Sequence, residues 1–165
     1  MKNKGQTLIE VLVGFTAMVV IVGAITMLSI SALNNAQYAK NQSFATQYAQ
    51  QGIEMMRNLR DTDLAKFNSL SSHMCLAESC TSPVAGNDPS CGGSGTCSIN
   101  VLGTFIRDVT VTLASPDCGL DSSNNPVNTK VIVGVSWADG KCSQGAFCHT
   151  EKVTTCFSTS VVSFP

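Results

Sequence analysis

The chain has 165 residues, the length of one ordinary domain, with 44% hydrophobic residues, 13% charged residues and a formal net charge of −1. Apart from Lys2 and Lys4 it carries no cluster of lysine or arginine, so recognition of nucleic acid through a basic patch has no support. It has no phosphate-binding glycine motif and no GxSxG elbow, and its two histidines, His73 and His149, lie in loop-like sequence, so a protein that is not an enzyme and needs no cofactor is expected.

The first element begins in KNKGQTLIEVLVGF. Between Lys4 and Lys40 the only formal charge is Glu10. From Val11 to Ile30 there is no charge at all. About 20 helical residues cross a hydrocarbon core, so this run predicts a membrane-spanning helix. The lysines before it predict a cytoplasmic start and an extracellular remainder. The apolar run is longer than the core of a cleaved secretory signal. A plain anchor accounts for the lysines and the span, but not for Glu10. A carboxylate in a membrane helix costs about 2.5 kcal/mol or more and is by default a functional residue that needs a partner. Cutting the chain after Gly5 would supply one, because Gln6 would then carry a free amine four residues from Glu10.

The stretch Lys4 to Glu10, KGQTLIE, resembles the processing site of type IV pilins and pseudopilins. The resemblance implies that a prepilin peptidase and methyltransferase cuts after Gly5 and methylates Gln6. It implies that Glu10 serves assembly with other pilin subunits through their N-terminal helices. It also implies a fold of the α+β class, with a long N-terminal helix packed on a small antiparallel sheet. Gln6 stands where the family usually has an apolar residue, and the span lacks a helix-kinking proline. The EVLV that begins at Glu10 is closer to minor pilins and pseudopilins than to abundant pilins. The expected division is residues 1–5 as leader and 6–33 as transmembrane and filament-core helix. Residues 34–60 are its amphipathic continuation and 61–165 a cysteine-rich β-sheet head. Membrane lipid would surround the helix before assembly, and an extracellular filament would follow. The alternative is a membrane-anchored monomeric binding or adhesin module with a disulfide-rich head.

After Leu33 the sequence turns polar without a proline. Phe44, Tyr48, Met55, Met56 and Leu59 recur near helical spacing, with Ala45, Ala49 and Gly52 on or beside that stripe. Lys40, Gln47, Gln51, Glu54 and Asn58 fall elsewhere. This predicts an amphipathic helix with one packed face, continuous from about Leu8 to Leu59.

Residues 71–98 hold four cysteines among Gly, Ser and Pro and read as a loop. Three strands are expected beyond it, from period-2 alternation. Val109, Val111 and Leu113 share a face in the first, and Val131, Val133, Val135 and Trp137 in the second. Val153, Thr155, Phe157 and Val161 share one in the third. After Trp137, ADGK signals a turn that opens a loop through His149.

The eight cysteines are Cys75, Cys80, Cys91, Cys97, Cys118, Cys142, Cys148 and Cys156. Outside a membrane an even count reads as four disulfides. The expected pairs are Cys75–Cys80, Cys91–Cys97, Cys142–Cys148 and Cys118–Cys156. The last should tie a covering loop onto the outer side of the sheet. A rival zinc set would use Cys75 and Cys80 with His73 or His149, but no CxxC occurs, and no metal is expected. Asp117 and Asp121 do not fit a calcium-loop spacing.

Overall fold

A computed structural model of the chain describes residues 6–70, 73–78, 97, 101–140, 142 and 147–158. The chain divides into two compact units, Met1–Lys40 and Asn41–Pro165. The helix α1, Gln6–Thr62, contributes to both.

In the first unit every large apolar side chain from Leu8 to Leu33 is more than half exposed. Three hydroxyl side chains in this run are turned back on the helix. Thr16 donates to the Val13 carbonyl, Thr26 to Val22 and Ser29 to Ile25, at 2.8–2.9 Å. These groups therefore demand nothing from a surrounding apolar medium.

The second unit is a helix laid on one face of a sheet. Ala45, Ala49, Gly52, Ile53, Met56 and Leu59 form the buried stripe of α1, with Phe44, Tyr48 and Met55 half-buried at its edges. Lys40, Gln47, Gln51, Glu54 and Asn58 are exposed, as the periodicity requires. α1 runs three residues past the expected Leu59. Asp63 then starts a short helix α2, Leu64–Asn68, by accepting the Lys66 backbone N–H at 3.0 Å. The hydrogen bonds from Lys66 hold the exposed Asp63 carboxyl below the usual carboxylate range.

Among the described residues the sheet has four strands where three were expected: β1 His73–Cys75, β2 Phe105–Thr112, β3 Asn128–Trp137 and β4 His149–Ser158. All neighbours are antiparallel and the order is β1-β2-β3-β4. β1 lies in the stretch read as loop. It is only three residues long, too short to show a period. His149 opens β4 instead of closing a loop. The register sets Val109 opposite Val133 and Val133 opposite Val153. Phe105, Trp137 and His149 form another inward row. Val131, Val133, Val135 and Trp137 are all buried, as alternation predicts. Leu113 is not: it falls in the turn after β2 and is 42% exposed. Val161 lies outside the described residues.

Close approach of helix and sheet depends on Gly52. A Cβ there would lie 2.8 Å from Val133 Cγ1, on a β-branched side chain with little freedom to move. Aromatic contacts close the core at both ends of the sheet. Tyr48 meets Phe105 edge-on at 5.2 Å, and Phe67 meets Phe157 at 5.8 Å. The Arg60 guanidinium lies 5.1 Å from the Phe157 ring centre.

One inward position breaks the apolar pattern. Arg107 is 2% exposed, between Phe105 and Val109. Its Nε donates to the Leu76 carbonyl at 2.8 Å, Nη2 to Ala77 at 3.1 Å and Nη1 to Tyr48 at 3.2 Å. Burial pushes its pKa down, and the Glu78 carboxylate opposes that shift. One side chain thus ties α1 to the segment just after β1.

On the outer face Asp108 is half-buried over Gly134, where a Cβ would come within 2.8 Å of its Oδ1. Loss of hydration pushes the Asp108 carboxyl above the usual range, while His73, 3.5 Å away, and Lys152 act in the opposite direction. A carboxyl that holds its proton more tightly when folded makes stability fall as pH rises from about 4, the unfolded value, through the folded value. Asp108→Asn should therefore flatten the decline of Tm over that interval. An unchanged slope would assign the effect to another group.

Three disulfides lie among the described residues. Cys118–Cys156 and Cys142–Cys148 form as expected. Cys75 pairs with Cys97, which replaces both Cys75–Cys80 and Cys91–Cys97. Cys80 and Cys91 lie outside the described residues. The correction has a structural cause: pairing of β1 with β2 buries Cys75 in the head, where Cys97 is also buried. Cys156 shares the outer face with Lys130, and the Lys130 ammonium meets Asp117 at 2.6 Å. The 3-10 turn Pro116–Cys118 is therefore clasped onto the outer side of the sheet.

Candidate functional site

The residues singled out for function fall in the first turns of α1. Gly5 lies outside the described residues; Gln6 is the first residue of α1. Glu10 is exposed on that helix. Positions 6 and 10 are separated by about 6 Å of helical rise and lie on adjacent turns of one face. A charge at the backbone nitrogen of residue 6 would therefore sit one turn from the Glu10 carboxylate.

Beyond Glu10 the helix carries no charge on any side as far as Ile30. The most apolar 18-residue window has a mean hydropathy of 2.5, and none of it is buried within the chain. By length and composition the helix can cross a membrane. A helix apolar all round is stable in lipid or inside a protein assembly, not in water. Gly14 and Gly23 add a second feature. A Cβ at either would touch nothing within 4 Å, so no contact among the described residues requires glycine there. Each costs about 1 kcal/mol of helix propensity in water against alanine.

Among the described residues the alternative metal sets are not assembled. His73 and Cys75 lie on β1 and His149 on β4, at opposite edges of a four-stranded sheet. Strands about 4.8 Å apart put those edges about 14 Å from each other. Cys75 is consumed by its bond to Cys97. Cys80 lies outside the described residues. Asp117 is engaged by Lys130, and Asp121 Oδ1 accepts the backbone N–H groups of Ser123 and Asn125 at 2.8 Å. Those hydrogen bonds, Asn125 first, hold the Asp121 carboxyl low.

Alternation in the sequence did not bring out two features. Arg107 has the parity of Phe105, Val109 and Val111, which is the signal that it points inward. Asp139, Cys142, Cys148 and His149 converge in space, and the only trace of this in the sequence is their position at the two ends of one connection.

Compared with protein-family models, with curated proteins and with solved structures, the chain matches none.

Proposed function

We propose that this chain is a structural subunit of an extracellular filament of the type IV pilin class, with the rank of a minor pilin or pseudopilin. The observation that carries the reading is Glu10, a lone carboxylate on an exposed apolar helix, five residues beyond Gly5 and one turn from residue 6. The α+β head with its disulfides supports it, as does the pair of glycines that no contact among the described residues requires. In this reading the subunit first spans the cytoplasmic membrane with its start inside. A peptidase cuts after Gly5 and methylates Gln6. The helix then leaves lipid to pack against the helices of other pilin subunits. Lipid is as apolar as those helices, so close packing must drive the exchange, and Gly14 and Gly23 let backbones approach.

N-terminal mass spectrometry of the mature protein tests the reading. It should find methylated Gln6 as the first residue, and Gly5→Leu should leave the protein inserted but uncut. A mature protein that still begins at Met1 would reject processing and favour the anchored monomeric binding module. Mature protein of normal length from Gly5→Leu would reject the cut site.

A further inference from the structure

The connection between β3 and β4 gathers four metal-ligating side chains. Asp139 follows Trp137 at the end of β3, Cys142 comes three residues later, and Cys148 and His149 lead into β4. One ligand atom from each lies within 4.8 Å of the other three. His149 Nε2 is 3.0 Å from Asp139 Oδ2. Cys142 Sγ is 3.8 Å from Asp139 Oδ1. In a tetrahedral zinc site, bonds of about 2.0–2.3 Å set neighbouring ligand atoms about 3.3–3.8 Å apart. Those two pairs are near that spacing, and the two sulfurs, 2.03 Å apart in the disulfide, must separate by about 1.7 Å once it is reduced. The frame around them is built: Trp137 and His149 are register partners, and their rings are 5.4 Å apart.

In the oxidised chain two of the four donors are occupied by the Cys142–Cys148 bond. A disulfide sulfur is not the ligand; the thiolate is. We propose that the dithiol form of this connection is a site for one zinc ion held by Asp139, Cys142, Cys148 and His149. Metal binding and disulfide formation at Cys142 and Cys148 then exclude each other. A dithiol reductant gives the Cys142–Cys148 bond two electrons and two protons. The sulfur–sulfur bond breaks, and the reductant becomes a disulfide. The two new thiols pass their protons to solvent as they coordinate the cation. Cys148 is exposed and Cys142 half-buried, so a reductant reaches the bond. In either state the two ends of the connection are clipped together, by sulfur in one and by zinc in the other. This donor set is distinct from the one built on Cys75 and Cys80, and it does not depend on assembly into a filament.

The test uses the full-length protein in detergent, reduced with a dithiol and freed of it under anaerobic conditions. Cobalt(II) is the probe. The reduced protein should show sulfur-to-cobalt charge transfer and the visible bands of a tetrahedral ion, which zinc then abolishes. The oxidised protein should show neither. His149→Ala should weaken cobalt binding by at least about tenfold. Reduction also opens the other bridges, so the double variant Cys142→Ser/Cys148→Ser is decisive. If it keeps the sulfur band, the site belongs to other cysteines and the proposal fails. It fails equally if His149→Ala binds as wild type does, or if reduced wild type gives no tetrahedral spectrum. Should a variant not fold, the wild type decides alone. Zinc must protect Cys142 and Cys148 from alkylation more than the other cysteines, as mapped by peptide mass, and equal protection overturns the assignment.

Discussion

Arg107→Ala should lower the unfolding free energy of the 41–165 unit by about 3–5 kcal/mol, the range for breaking a buried charged network. The buried guanidinium serves carbonyls on two segments. Tyr48 keeps its helical hydrogen bond when the arginine is lost, but the Leu76 and Ala77 carbonyls lose a charged donor. A buried carbonyl left without a partner costs about 1–3 kcal/mol, and the vacated volume adds a packing loss. Against this stands the desolvation of the guanidinium, visible in its lowered pKa, which the mutant no longer suffers. Arg107→Met fills the volume without supplying donors and should fall between mutant and wild type. The chain's only tryptophan, the buried Trp137, gives the signal for urea titration. A loss below about 1 kcal/mol for Arg107→Ala would show that water satisfies those carbonyls and that the guanidinium is not the tie.

Glu10→Ala should leave membrane insertion unharmed or slightly improved, because it removes a charge that is unfavourable in lipid. Cleavage after Gly5 should persist, since the cut bond lies five residues away. Incorporation into filaments should drop about a hundredfold or more. The Gln6 amine would be buried among neighbouring helices without its counter-ion, and breaking such a pair costs about 3–5 kcal/mol. Glu10→Gln should be nearly as poor, because the amide keeps the shape and loses the charge. The assay is the ratio of subunit in sheared filaments to subunit in membranes. If both mutants match wild type, pairing between the amine and Glu10 plays no part in assembly.

What was legible in the sequence follows from which forces act locally. The apolar run of α1 and its stripe from Ala45 to Leu59 are set by helical period, so they read directly. β3 reads because four consecutive inward positions are Val131, Val133, Val135 and Trp137, with no competing signal. β1 does not read, because its pairing with β2 comes from a strand some thirty residues away and not from its own three residues. The expectation that Cys75 pairs with Cys80 failed for the same reason, since it assumed that nearness in sequence decides. Arg107 does not read as inward because alternation treats a charge as outward, whereas the Leu76, Ala77 and Tyr48 carbonyls reward it for pointing inward. Of the candidate functional residues, Glu10 is legible because one charge in an apolar run is conspicuous in one dimension. The Asp139–His149 cluster is visible only once β3 and β4 are in register.

The sheet runs β1-β2-β3-β4, so its strands lie side by side in the sequence in which they are synthesised. The β2–β3 and β3–β4 pairings close the shorter loops, and local closure of that kind favours fast folding. For a chain synthesised helix first, this has a consequence in time. α1 is available as a template before any strand arrives, and each later strand finds its partner already made. β4 arrives last, and with it Cys156, so the Cys118–Cys156 bond can close only when the sheet is complete. The clasp is a record of a finished chain: one stalled before residue 156 leaves Cys118 without its partner.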